Sequence, residues 1–539
     1  MVPPPIEGLS GHHLRHRIVT AVIGLPLRGQ AYIAKRLQHY LDFFHGAHTE
    51  LFNVNDYVNR PNGDDELLEA LRTHFEQGSK GKQSHAIIYT TNAWSAASSQ
   101  WSGHSKSRRR WMHNALEAEL HAELHLVEIQ VNDILEHHLM YIQRHRLSQE
   151  DPHYEDHIRE YSTRFVTIQE DGTEDDLNYI KVIDYNKKVV TNNMMQTFLG
   201  SRVARFLGNV HPYSHHLYLS RCGESEYHVV DKIGGDSELA PRGREFALRL
   251  AEFADTVICR QATNFACVTL SSWQVVELPK RLRAAPGAPG LLASGRWDDV
   301  PGAVEHNAVS EGMHLTKFQV EGSPRFDDCP PSVPALLKAI GSGRSVTLVF
   351  TDTRGATGED AALCRLWTST AIRAKQTVAH FKKRNITLSG GKVWAQLGHR
   401  EYRNLNEMYA GEYEGLTSEE IAVRQPKEAE LRDKDKLGYR YPRGESYYDV
   451  IARLDDAIQS VESYQEPLMI VAHPAVLKLI YAYVKGIPRE QAPDIDIPPH
   501  SVVYLGHDGA SAMVERHYDL GPPRQASRSS ACDDRHRHA

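Results

Sequence analysis

No apolar run in this 539-residue chain is long enough to span a bilayer, so no membrane partner is expected. The opening Met1-Val2-Pro3-Pro4-Pro5 lacks the basic-then-apolar layout of a secretory leader. No C-x-x-C pair occurs. The six cysteines, at 222, 259, 267, 329, 364 and 532, are scattered, which suits free thiols in a reducing, cytoplasmic setting rather than a disulfide framework. Excess positive charge is also missing, and a net charge of −7 speaks against a nucleic-acid binder. The 31 histidines lack metal-ligand spacing, so no metal site is expected. The adjacent pairs His12-His13, His137-His138 and His215-His216 point apart on regular elements, and surface imidazoles are predicted.

What is present is a globular composition, 41% apolar and 24% charged, in a chain too long for one ordinary core. Residues 17–24, Arg-Ile-Val-Thr-Ala-Val-Ile-Gly, read as a buried parallel strand. A Gly/Pro turn and a helical pattern, Ile33, Leu37, Tyr40 and Leu41, follow it. Ala86–Tyr89 reads as a strand, Arg110–Ala122 as a helix and Leu124–Val131 as a strand, an alternation that predicts a doubly wound α/β unit over 17–210.

A second α/β unit, 211–520, has strands at Leu217–Ser220, Arg365–Thr368, Leu468–Ala472 and Ser501–Leu505. The composition changes over about 256–362, where Ala284-Ala285-Pro286-Gly287-Ala288-Pro289-Gly290 is a breaker cluster. This stretch reads as an insertion with some strands, such as Val346–Phe350, and a flexible middle. The polar, basic segment 524–539 reads as a disordered tail. Within it, Arg524-Gln525-Ala526-Ser527 is either plain tail or a kinase target.

Gly24-Leu25-Pro26-Leu27-Arg28-Gly29-Gln30-Ala31 has the glycine spacing of a P-loop between strand and helix. Spacing alone allows two readings, a phosphate cradle or a plain glycine turn. Gln30 stands where the lysine would be, and Ala31 where a hydroxyl would hold Mg²⁺. Glutamine cannot offset charge on a transferring phosphoryl group, a loss of several kcal/mol in order of magnitude.

The wording Gly-Leu-Pro-x-Arg-Gly resembles the kinase half of the 6-phosphofructo-2-kinase/fructose-2,6-bisphosphatase family. The resemblance implies a P-loop NTPase-like domain with ATP and Mg as cofactors. The family's Asp-Ala-Thr-Asn segment is matched by Tyr89-Thr90-Thr91-Asn92, so its acid becomes Tyr89. Three changes thus fall on the three groups that handle Mg²⁺·ATP, which speaks against kinase chemistry. Arg144 and Arg146 lie where the family places further basic residues, so a substitute cation stays open.

From Tyr179 onward the resemblance is stronger. Leu219 to Ser225 resembles the Leu-x-Arg-His-Gly-Glu-Ser signature of histidine phosphatases, with Cys222 in place of the phosphate-carrying histidine. Ile233-Gly234-Gly235-Asp236-Ser237, Leu405-Asn406-Glu407, Leu431 to Lys436 and Tyr439 to Ser446 are further matches. They imply a phosphoglycerate-mutase-like histidine phosphatase domain acting on fructose 2,6-bisphosphate.

Such chemistry needs cations around a phosphate, a nucleophile, and an acid for the leaving oxygen. By resemblance, Arg221, Arg373 and His473 bind phosphate, Glu407 is the general acid, and Arg432, Lys436, Arg440 and Tyr441 contact the sugar phosphate. The family's asparagine after the signature is His228, and the glutamine after the second histidine is Pro474.

Cys222 is either a nucleophile, its thiol pKa lowered by the neighbouring arginines, or a small filler. Three functions follow: an active bisphosphatase using Cys222 or water, an active kinase with a substitute cation, or a pseudoenzyme of fructose 2,6-bisphosphate metabolism. The third is favoured, because key groups are changed at both centres. It would bind fructose 6-phosphate or fructose 2,6-bisphosphate and pair as a homo- or hetero-oligomer with an active relative.

Overall fold

The computed structural model describes residues 17–78, 84–131, 153–196, 198–211, 215–259, 363–387, 393–507 and 513–521, with the elements named below between 265 and 351. Arg144, Arg146, the pairs His12-His13 and His137-His138, residues 285–290 and the tail 524–539 lie outside the described residues.

The first unit is a mixed six-stranded sheet in the order β2-β3-β1-β4-β5-β6. Its strands are β1 (Arg17–Gly24), β2 (His48–Asn53), β3 (Ser84–Tyr89), β4 (Ala122–Gln130), β5 (Asn178–Ile183) and β6 (Lys188–Asn192). All neighbours are parallel except β6, which returns antiparallel to β5. The central strand β1 is buried from Ile18 to Ile23, as its β-branched run requires.

The helix after β1, Gln30–His45, turns Ile33, Leu37, Tyr40 and Leu41 into the core. The helix expected at Arg110–Ala122 runs instead from Lys106 to Leu120. It starts earlier because Arg109 is drawn inward into a fully buried pair with Glu174, at 2.8 and 2.9 Å. It ends where His121 takes a left-handed φ of 49° and releases Ala122 to β4.

The second mixed sheet has the order β18-β15-β19-β7-β20-β21. It joins β7 (His215–Arg221) to strands far along the chain: β15 (Cys364–Thr368), β18 (Leu397–Glu401), β19 (Leu468–Ala472), β20 (Ser501–His507) and β21 (Val514–Asp519). The ribbon β16 (Asn385–Thr387) and β17 (Val393–Ala395) stands apart. Strands β18, β15, β19 and β7 are parallel, so their C-terminal ends share one edge, where ligands of open α/β sheets bind.

Between β7 and β15 the expected insertion contains a third, antiparallel sheet of seven strands. These are β8 (Phe265–Leu270), β9 (Leu282–Ala284), β10 (Leu291–Ala293), β11 (Val304–His306), β12 (His314–Val320), β13 (Asp327–Asp328) and β14 (Val346–Thr351). Leu270, Leu315, Phe318 and Leu348 belong to a core of its own.

The first two units share a core. The Tyr40 ring stacks on Phe206 at 4.3 Å, its hydroxyl donates to Asp455 at 2.8 Å, and Arg36 pairs with buried Glu462. A buried phenol needs such a partner.

The expectation of surface histidines holds only in part. His215 and His216 are half-buried, while His74, His85, His104, His125 and His211 are buried. Burial favours neutral imidazole, lowering His85 to about 3 and His104 and His211 to about 4. Among the described residues, no helix is long and apolar enough to cross a membrane, and no cluster of acidic, histidine and cysteine side chains could hold a metal.

Candidate active site

Three parallel strands deliver three side chains to one edge. In register, Ala472 of β19 sits opposite Arg221 of β7, and Val471 opposite Thr368 of β15. The next residues, Cys222, His473 and Ser369, therefore emerge side by side. The Cys222 sulfur lies 3.5 Å from His473 Nδ1, and the Ser369 hydroxyl lies 2.7 Å from His473 Nε2.

Local chemistry holds each of them. Cys222 N–H donates to Ala472 O at 2.8 Å, and Gly223 N–H to the Thr377 hydroxyl at 2.9 Å. His473 caps the helix Pro474–Lys485, whose first position is the one where proline's missing N–H is harmless. Ser225 and His228 form a capping box, with the Ser225 N–H donating to His228 Nδ1 at 3.1 Å. That bond leaves the proton of a neutral His228 on Nε2.

Arg373, 4% exposed, donates to Gly235 O at 2.5 Å, while its Nε has no partner. Gly235 can sit there because its φ is +67° and a Cβ would fall 2.4 Å from Tyr227. Glu407 is fixed from behind by Arg453, which donates to the carbonyls of Asn406 at 2.7 Å and Glu407 at 3.3 Å.

These groups also act on one another electrostatically. Arg373, Arg221 and Glu407 all act on the Cys222 thiol. The expected lowering of that thiol's pKa is reversed: burial pushes it up, and the two arginines offset this only in part. His473 is held far below the ordinary histidine range by burial, then by Arg373, His228, Arg453 and Arg221. The Ser369 hydroxyl already accepts the Ala371 N–H at 3.3 Å, so its proton can go to Nε2. This favours an imidazole proton on Nδ1, facing sulfur. Burial also lowers His228, to about 4, with Arg373 and Arg221 adding to the effect.

Burial likewise raises Glu407, against the Met408 N–H and Arg373. With a folded pKa above the unfolded one, this carboxyl weakens the fold as pH rises beyond the ordinary glutamate range near 4.5. Glu407→Gln keeps an oxygen for the Met408 N–H, which sits at 2.8 Å. The variant is expected to melt above the parent at neutral pH, with the gap closing toward pH 4.5. Melting curves across pH check this, and a gap that fails to close on acidification counts against it.

A second group of cations lies beside the first. The Arg432 guanidinium stands 5.8 Å from the Tyr441 ring centre, and Tyr441 in turn feels Glu407. Lys436 pairs with Asp494 at 2.9 Å. Arg440 is exposed and turned to Asp449 at 2.5 Å, so the structure does not draw it into the cluster. Lys478, which sequence reasoning missed, acts with Arg221 and Lys436 and is itself lowered, chiefly by burial. Its signal was its place on the helix that His473 caps. Ser369 was also missed as a site residue, although it directly follows the strand read at Arg365–Thr368.

In the first unit, Gly29 takes a left-handed φ of +74° and starts the helix Gln30–His45. Gln30 turns back into its own loop, its Nε2 donating to Leu25 O at 2.6 Å and its Oε1 accepting the Arg28 N–H at 3.3 Å. Arg28 is buried and donates to Val131 O at 3.2 Å and Pro26 O at 2.8 Å. Ala31 offers no oxygen, and Tyr89 is buried, its phenol raised by burial and then by Asp56. These residues do not fit a magnesium-bound nucleotide.

The histidine phosphatase superfamily (branch 1) profile matches residues 355–520. A Saccharomyces cerevisiae protein named fructose-2,6-bisphosphatase is 25% identical over 511 residues, covering 91% of this chain and 86% of the relative. A Caenorhabditis elegans 6-phosphofructo-2-kinase/fructose-2,6-bisphosphatase is 25% identical over 515 residues, 90% and 86% of the two chains. The Rattus norvegicus 6-phosphofructo-2-kinase/fructose-2,6-bisphosphatase 3 is 26% identical over 534 residues, 93% and 72%. A histidine-phosphatase domain thus stands behind the edge that carries Cys222 and His473, and over at least 90% of its length the chain is similar to proteins named 6-phosphofructo-2-kinase/fructose-2,6-bisphosphatase.

Proposed function

We propose that the C-terminal unit binds fructose 2,6-bisphosphate or fructose 6-phosphate and turns it over weakly or not at all, as a regulatory pseudoenzyme. One observation carries this reading: the Cys222 thiol is buried beside His473, and burial raises its pKa although Arg373 and Arg221 both act to lower it. Arg221 and Arg373 supply forked donors for a phosphate, and neutral His473 and His228 add an N–H each. Arg432, Lys436 and Lys478 suit the rest of the sugar phosphate. What is missing is a nucleophile ready at neutral pH. A thiol must first lose its proton against the same burial, whereas an imidazole attacks in its neutral form.

The second reading is an active bisphosphatase using Cys222 or water. It is favoured by Glu407, whose carboxyl burial shifts toward the protonated form that a general acid needs. For the first unit, the inward turn of Gln30 supports loss of kinase chemistry. The free thiols of Cys222, Cys259 and Cys364 suit a reducing, cytoplasmic setting. A regulatory role further implies pairing with an active relative as a homo- or hetero-oligomer.

Titration calorimetry with both sugar phosphates, beside assays for both activities, tests the proposal. Saturable binding is expected, with turnover at least about a thousandfold below ordinary enzymes. Absence of binding to either compound, or ordinary turnover by either half, overturns it.

A further inference from the structure

Two cysteines stand where the inserted sheet leaves and rejoins the phosphatase-like unit. Cys259 ends the turn that follows the helix Pro241–Phe253, and Cys364 opens β15. Residues 260–363, with the whole third sheet, run between them. Both are free and buried, in a single apolar cluster.

The neck is closely tied. The Cys364 thiol donates to Ile258 O at 3.5 Å, one peptide unit from Cys259. Gln396 bridges both backbones: its O accepts the Cys364 N–H at 2.7 Å, and its Nε2 donates to Cys259 O at 3.1 Å. The two thiols act on each other, which lowers Cys259 and raises Cys364. Cys259, 7% exposed against 1% for Cys364, is the less enclosed residue of the pair. Asp255, which pairs with Lys382 at 2.6 Å and Arg384 at 2.7 Å, sets the charge around this turn.

We propose that Cys259 and Cys364 form a reversible, peroxide-driven disulfide that closes the neck of the inserted sheet. The Cys259 thiolate attacks one oxygen of a hydroperoxide, the O–O bond breaks, and the released hydroxide takes a proton and leaves as water. The product is a sulfenic acid on Cys259. The Cys364 sulfur then attacks the Cys259 sulfur, and the sulfenic hydroxyl leaves with the Cys364 proton as a second water. Two thiols lose two electrons, and one molecule of hydrogen peroxide becomes two of water. The bond ties the insertion covalently to the strand that carries Ser369 toward the site.

Full-length protein is treated with hydrogen peroxide under native conditions, then alkylated, digested and mapped by mass spectrometry without reduction. A Cys259–Cys364 linked peptide is expected, lost on adding dithiothreitol. Cys364→Ser should leave Cys259 reactive toward dimedone, the sulfenic-acid probe, and Cys259→Ser should give no linked peptide. If both cysteines in the parent remain open to alkylation after peroxide treatment and unfolding, or if either links mainly to another cysteine, the proposal is overturned. The parent result alone decides, so a variant that fails to fold does not shelter the idea.

Discussion

Cys222→His is expected to raise fructose-2,6-bisphosphatase turnover by roughly a thousandfold, part of the much larger effect that a nucleophile carries in hydrolases. The environment that disables sulfur suits imidazole. Burial opposes a thiolate, yet it favours an uncharged histidine, the form that attacks phosphorus. Arg221, Arg373 and Glu407 already face position 222, so charge neutralisation and leaving-group protonation need no further change. Single-turnover release of phosphate measures the gain, and acid-labile labelling of the variant reports the phosphohistidine. A variant that folds, binds fructose 2,6-bisphosphate and stays as slow as the parent assigns the block elsewhere. Pro474, or His228 locked into its capping box with Ser225, would then be the next position to change.

Arg373→Ala is expected to weaken sugar-phosphate binding by about 30- to 4,000-fold, the span of 2–5 kcal/mol for a buried charged hydrogen-bonding partner. Arg373 is 4% exposed, acts on both Cys222 and His473, and has an unpartnered Nε. Its bond to Gly235 O also makes it part of the local frame. Arg373→Lys separates the two roles, since it keeps the charge and loses the fork. Calorimetric titration of the three proteins measures the series, with lysine falling between arginine and alanine. An alanine variant that melts like the parent and binds with unchanged affinity removes Arg373 from the phosphate site.

Much of this centre was legible before the fold was known, because the strand–loop–helix motifs carry their own geometry. Arg221 ends β7, His473 follows β19, and Arg373 and Glu407 lie after β15 and β18, positions that the family resemblance, rather than spacing, singled out. The sign of the Cys222 shift did not follow from spacing. It depends on how completely the sulfur is desolvated, and nearby arginines alone suggested the opposite direction. The inward turn of Gln30 was hidden for a similar reason: a polar residue after a glycine loop can face a ligand or its own carbonyls. The pairing of Arg440 with Asp449 was likewise not legible in the motif. Nor could an insertion's strands be paired from one chain, since their partners lie far apart and between breaker residues.

The contacts that bind Tyr40 and Arg36 to Asp455, Gln459 and Glu462 make the helix after the altered loop part of the phosphatase-like unit's wall. Cutting away the first unit would strip that wall and open its apolar side to water. A chain built this way can abandon a reaction in its leading half and still require that half as scaffolding.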